Sequence, residues 1–236
     1  MDGGGALFAN FIAALGEIIS PLVISYPADV TLDYPGLTAF VRERLPHDRP
    51  FFLLGESFSG PVAIALAANA PAGLQGLILS CTFARNPVPS LRFARSLISV
   101  LPVSHHLAPL LFPFMLGVGA QVSLRRELSD ALAAVAPAVV KVRMRAVLDV
   151  DYSSSLARVN VPVLYLQALN DRVVSKASLS HIRRIKPKAE VVTIDGPHLL
   201  LQAAPVESAN AVRAFIAQHC RQDSPRATYS SAAGAT

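Results

Sequence analysis

Short, continuous apolar runs alternate with helical patterns along most of this chain. Residues 21–26, 51–54, 74–79, 161–167 and 190–194 read as strands, rich in Val, Ile, Leu and Phe and bounded by Pro, Gly or Asp. Between them, residues 7–15, 37–45, 61–70, 175–185 and 203–218 carry helical spacing; in 37–45 the inner face is Phe40, Val41 and Leu45. Strands that are apolar throughout, rather than alternating, are buried on both faces. With a helix between each pair, they predict an α/β fold: a mostly parallel sheet with helices on both sides. Residues 82–152 break the rhythm. They are rich in Pro, Leu and Ala and show no strand, so they read as a helical insertion. The predicted organisation is a first core part at 1–81, the insertion at 82–152, a second core part at 153–220 and a tail at 221–236. Ser, Ala, Thr and Gly dominate that tail, which is expected to be disordered.

The 236 residues suffice for one α/β domain. A hydrophobic content of 52% with only 16% charged residues argues against disorder over most of the length. The net charge of +5 is spread over scattered basic residues with no nucleic-acid-binding motif, so solvated faces are expected and no nucleic acid partner. From Ser96 to Leu124 no formally charged residue occurs. Pro102, Pro109, Pro113, several Ser and the pair His105-His106 interrupt that stretch, which a spanning helix would not tolerate well. It reads as an apolar lid over a site, with membrane-surface contact as the alternative. The start Met1-Asp2-Gly3-Gly4-Gly5 lacks the basic region of a signal peptide. Cys81 and Cys220 are far apart and have no metal-ligand spacing. A reducing, cytoplasmic setting is expected, with Cys81 a buried core residue, and no metal or cofactor is implied.

Gly55-Glu56-Ser57-Phe58-Ser59-Gly60 changes the picture from fold to chemistry. It sits between an apolar strand and an Ala-rich helix. A serine at such a sharp turn is lifted above the sheet edge, and the next backbone N–H, that of Phe58, faces the reacting carbonyl. Small flanking residues are needed where strand and helix crowd together. Gly55 meets this; at the second position the pattern expects Gly and Ser59 stands there, with Gly60 one residue later. A serine needs a base and a carboxylate, expected in the order Ser, acid, His. His198 follows the 190–194 strand and a Gly-Pro turn, whereas His181 lies in a charged helical stretch and reads as solvated. Asp171 follows the 161–167 strand. Asp195 is the competing acid, but it stands only three residues before His198 and reads as a turn former. Strand carboxyl ends are where such sheets collect their site residues.

From about Asp2 to Ala217 the chain resembles the α/β-hydrolase superfamily, among its small esterase-like members. The resemblance rests on Gly-Glu-Ser-Phe-Ser-Gly, on Pro-Val-Leu-Tyr-Leu-x-x-x-x-Asp-x-Val-Val and on Asp-Gly-Pro-His-Leu-Leu-Leu-Gln. It implies Ser57 as nucleophile, His198 as general base and then acid, and Asp171 as the residue orienting the imidazole. It also implies that 82–152 form a helical cap whose apolar inner face selects substrate, with Phe83, Phe93, Phe112, Phe114 and Met115 as pocket candidates. Plain cap core is the competing reading for each of them. The family pattern places an apolar central strand ahead of a segment like Met1–Phe8, between the strands read at 21–26 and 51–54, and its end supplies a second oxyanion donor at the position Met1 matches. The expectation is therefore of a chain truncated at its start, poorly stable and weakly active alone.

The activity these residues imply is hydrolysis of a carboxylic ester or thioester with an apolar portion, through an acyl-enzyme. Acyl transfer to an alcohol is a close variant. The reading from another class is a silent hydrolase-like protein that holds a small ligand. A halide-releasing enzyme would want Asp in place of Ser57.

Overall fold

The computed structural model describes residues 5–90, 111–117 and 120–220. Its sheet has four parallel strands in the order β1 (Phe51–Glu56), β2 (Leu74–Ser80), β3 (Val163–Ala168) and β4 (Glu190–Ile194). The register sets Gly55 opposite Leu79, Leu79 opposite Tyr165, and Tyr165 opposite Val191. All four carboxyl ends therefore lie along one edge. Alternate residues feed the two faces, as the pleat requires. Ile78, Leu164 and Leu166 pack with Phe11 and Leu15 of α1 (Ala9–Leu15) and with a C-terminal helix. Leu77, Leu79, Val163 and Tyr165 pack on the other side with Ala63, Ile64 and Ala67 of α3 (Gly60–Ala67). The helix α2 (Tyr34–Arg42) completes that side through Leu37 and Val41. The chain is thus an α/β fold, a parallel sheet with helices on both faces, as the sequence predicts.

Two readings of the early chain are corrected. Residues 21–26 form no strand. Their apolar character is spent instead on packing: Ile24 and Tyr26 lie against Phe58, Leu37 and Val62, while Leu22 and Val23 stay exposed. A strand is defined by a paired backbone, and this stretch is held by side chains. The fully buried Arg143 donates from Nη2 to the Pro27 carbonyl at 2.8 Å, and its guanidinium stands over the Tyr26 ring at 5.7 Å. The helix expected at 37–45 begins earlier, at Tyr34. Asp33 Oδ1 accepts the Gly36 N–H at 3.0 Å, and Pro35 supplies a preset φ in the first turn.

Within 82–152 the described residues form α4 (Phe112–Met115), α5 (Val122–Ala133) and α6 (Pro137–Asp149). Where this segment leaves and rejoins the sheet its two ends are tied. Arg85 and Asp151 form an antiparallel bridge, Asn86 N–H donates to Val150 O at 2.9 Å, and Tyr152 N–H donates to Ala84 O at 2.7 Å. Phe112, Leu116 and Leu128 form a separate small core with Leu7 and Leu199. The chain continues through α7 (Ser153–Arg158), β3, α8 (Lys176–Ile185), β4, a short α9 (Leu200–Ala203) and α10 (Pro205–His219). Among the described residues no helix is long and apolar enough to cross a membrane.

His181 is not solvated, in contrast to the expectation. The helix α8 buries Ser178, His181 and Ile182, and His181 Nε2 shares a hydrogen bond with Ser153 Oγ at 2.8 Å. Burial, with the charges of Arg85 and Arg184 nearby, holds the imidazole below its ordinary value. It is a packed group tying α7 to α8.

Tyr165 links the sheet to the loop after β2. Its hydroxyl donates to the Thr82 carbonyl at 2.7 Å and accepts the Thr82 N–H at 3.1 Å, so both backbone groups of a fully buried residue depend on one side chain. Burial pushes the phenol well up, and it stays protonated. Tyr165→Phe leaves both Thr82 groups unsatisfied and is expected to lower unfolding free energy by about 1–3 kcal/mol in a urea titration.

Candidate active site

β1 ends in a turn that puts Ser57 at φ +51°, in the left-handed region that non-glycine residues rarely occupy. A short 3₁₀ turn, Ser57–Ser59, leads into α3. Two glycines make this geometry possible. A Cβ on Gly55 would meet the Ser59 carbonyl at 2.8 Å and Ala63 Cβ at 2.9 Å, and one on Gly60 would run into the Thr82 side chain. The close approach expected at position 59 is therefore made by Gly60. Ser59 sits where a hydroxyl is tolerated, near the buried Tyr26. The Thr82 hydroxyl donates to the Ser57 carbonyl, fixing the strained peptide from below.

Ser57, His198 and Asp171 stand in one hydrogen-bonded chain. Ser57 Oγ lies 2.7 Å from His198 Nε2, and His198 Nδ1 lies 3.0 Å from both carboxylate oxygens of Asp171. The imidazole and the carboxylate are only 1% and 2% exposed, so this pair is shielded from water. The carboxylate is an acceptor only, so Nδ1 carries the proton and Nε2 is left to accept the serine hydroxyl's. Asp171 Oδ1 also accepts the N–H groups of Val173 and Val174, each at 2.8 Å, which fixes the carboxylate in its loop. Asp195 is exposed and accepts Asn170 Nδ2 at 2.8 Å, clamping the loops after β3 and β4 together.

The other sequence candidates are dispersed. The Phe58 ring is buried, stacked on Tyr34 at 4.9 Å and edge-on to Tyr26 at 6.3 Å. Phe83 is buried in the same cluster. Phe112 belongs to the separate core under α5, with Met115 packed against it, and Phe114 is 48% exposed. Met1 and Phe93 lie outside the described residues. Cys81 is fully buried at φ +46° just past β2. Burial, with the carboxylates of Glu56 and Asp171 near it, pushes its thiol well up, so it is no thiolate nucleophile. Among the described residues no group of His, Cys, Asp and Glu is arranged to hold a metal ion.

Sequence reading missed Glu56, Thr82, Tyr165 and Gln202, which act across large sequence separations. Only Glu56 carried a signal: an acid closing the apolar run 51–54, directly before the serine. The elbow packing gives a direct test. Gly60→Ala drives a methyl into Thr82 under a strained peptide. It is expected to cost about 1–3 kcal/mol, read as a lower midpoint in a denaturant titration with the slope unchanged.

The chain superposes on solved structures and matches one family model. A hydrolase from Oleispira antarctica superposes with a TM-score of 0.76 at 16% identity, over 94% of this chain and 89% of that one. MenH from S. aureus gives 0.69 at 15% identity, over 84% and 80%. A hydrolase from Pseudomonas aeruginosa PA01 gives 0.63 at 24% identity, over 81% and 74%. At these identities the likeness is one of fold. No curated protein sequence matches the chain. Residues 22–197 match the family model described as serine aminopeptidase, S33, which spans both the elbow and Asp171 and stops one residue short of His198. The chain belongs to that S33 family of α/β hydrolases.

Proposed function

We propose that this protein is a serine hydrolase that cleaves a carboxylic ester or thioester with an apolar portion through an acyl-enzyme. A small-molecule substrate is in keeping with membership of a hydrolase family. The observation that carries the reading is the buried chain Ser57–His198–Asp171 with the serine on a left-handed turn. A serine hydroxyl is a weak nucleophile near neutral pH and needs an adjacent base. His198 Nε2 takes the hydroxyl proton as Oγ bonds to the carbonyl carbon, and the carbonyl electron pair moves onto oxygen. The Phe58 backbone N–H is proposed to stabilise that oxyanion. The adduct collapses, the alcohol or thiol leaves with the proton from His198, and the acyl group stays on Ser57. Water then repeats the sequence and releases the acid. Asp171 holds the imidazole in the right tautomer and stabilises the imidazolium.

The segment 82–152 is proposed as a lid, since its ends are tied at one neck beside the sheet. Phe83, Phe112 and Met115 are the described candidates for its apolar substrate-facing side.

A fluorophosphonate probe should label the protein and leave Ser57→Ala unlabelled at similar thermal stability. Ester turnover should fall by roughly 10⁴–10⁶ in that variant, because such residues act as a unit. Labelling of a different residue, or a Ser57→Ala variant with more than trace turnover, refutes the assignment. Turnover of aminoacyl anilides but no acyl ester would replace the ester reading with a peptidase one.

The two acids are separated by a second comparison. Asp171→Asn is expected to cost roughly 10⁴-fold in kcat by leaving the imidazole in the wrong tautomer. Asp195→Asn breaks only the clamp to Asn170 and should cost far less. The reverse ranking would move the orienting acid to Asp195.

A further inference from the structure

β4 ends the sheet on one side. β3 pairs with its inner edge, and among the described residues no strand pairs with its outer one. Val192, Thr193, Ile194 and Asp195 all line a groove between that strand and α10, with a volume of about 520 Å³. Successive side chains of a strand point to opposite faces. Consecutive residues therefore line one groove only where the open edge itself forms its wall. That wall carries the backbone N–H and C=O groups a further strand would pair with. Leu164, Val192, Ile194, Ala214 and Phe215 give the groove an apolar floor.

Its two ends carry charge of one sign. Glu190 stands where β4 begins and Asp195 just past its end. α10 runs back along the strand, since His219 in its last turn lies 2.6 Å from Glu190; its first turn, with Glu207, is therefore at the Asp195 end. All three acids line the groove, and no Lys or Arg is among the described lining residues. Glu190 is shared with His219 and Asp195 with Asn170, while Glu207 has no hydrogen-bond or ion-pair partner among the described residues. Glu190 and Asp195 are separated by roughly 16 Å of strand, at about 3.3 Å per residue.

We infer that the β4 edge is a docking site for an extended basic segment of a partner protein. The segment adds a fifth strand to the sheet. Its alternate Val, Ile or Leu side chains lie on the apolar floor, and a Lys or Arg near each end meets Glu190 on one side and Asp195 with Glu207 on the other. Edge charges also ward off unspecific pairing, and either sign would serve for that; acids alone select a cationic partner. A second copy of the chain fits poorly. Two β4 edges paired about a twofold axis would set Glu190 of each copy against Asp195 and Glu207 of the other. The inference does not depend on the role proposed for Ser57.

The experiment measures fluorescence anisotropy of a labelled peptide, Lys-Val-Thr-Val-Thr-Lys, titrated with the full chain at low and at physiological salt. Saturable binding in the range of about 10–100 μM is expected, weaker at the higher salt. Hydrogen exchange of the amides at 191–194 should slow when the peptide is added, because paired edge groups are protected. The peptide Glu-Val-Thr-Val-Thr-Glu should not bind in that range, nor should the basic peptide N-methylated at each Val and Thr, which cannot pair. Ala214→Phe fills the exposed part of the floor and should weaken binding at least about tenfold. Glu207→Lys should weaken it about fivefold, the upper end for one exposed charge pair.

No saturable binding of the basic peptide overturns the inference. Equal binding of the acidic or the N-methylated peptide does so too, as do unchanged exchange at 191–194 and wild-type affinity in Glu207→Lys. Should Ala214→Phe fail to fold, the exchange measurement and Glu207→Lys decide. A dimer of the protein alone in sedimentation equilibrium that Ala214→Phe dissociates would give the groove to a second copy and overturn the partner reading.

Discussion

The strained peptide at Ser57 is the constraint around which the described structure is organised. A non-glycine residue at φ +51° costs on the order of 1–3 kcal/mol and persists only where its surroundings leave no alternative. Those surroundings form a relay. Tyr165 on β3 binds both backbone groups of Thr82; the Thr82 hydroxyl binds the Ser57 carbonyl; and the Thr82 side chain sits where a Cβ on Gly60 would be. β1 and α3 can then close on each other only because Gly55 and Gly60 are bare. Strand pairing in β1–β2–β3 thus sets the height of one hydroxyl.

A second set of ties brings His198 to that hydroxyl. Leu169 N–H and Asn170 N–H donate to Ile194 O and Gly196 O at 2.9 and 3.0 Å, zipping the loop of Asp171 to the loop of His198. Asp195 adds its clamp to Asn170. Glu56 closes the circuit from the β1 side. Each of the three side chains therefore arrives on its own strand end, and the loops between those ends are bonded to one another. Site geometry of this kind needs supporting groups that are themselves locked.

The strands at 51–54, 74–79, 161–167 and 190–194 were legible because buried parallel strands leave continuous apolar runs. Residues 21–26 have the same composition and no strand, because composition reports burial and pairing depends on where the rest of the chain goes. His181 was misread for a related reason: its charged neighbours on α8 face water, and its own face of the helix meets Ser153. Ser57, Asp171 and His198 were picked out by chain order and strand-end position, and they do share one hydrogen-bonded chain. Their roles are the proposal made above. Thr82, Tyr165 and Gln202 left no trace in the sequence, since hydroxyls and amides at ordinary positions mean nothing until the fold supplies their partners.

The electrostatics at this sheet edge also bear on the two candidate nucleophiles there, Cys81 and Ser57. Cys81 and Ser57 occupy equivalent places, one just past β2 and one just past β1, both at positive φ. A thiol is intrinsically the better nucleophile, but only as thiolate. Burial opposes that charge, and the carboxylates of Glu56 and Asp171 oppose it further. A serine never has to hold a full negative charge on its own oxygen; its proton moves to a neighbouring base as the new bond forms. An environment that is dry and negative therefore keeps the Cys81 thiol protonated, which is in keeping with the role proposed for Ser57.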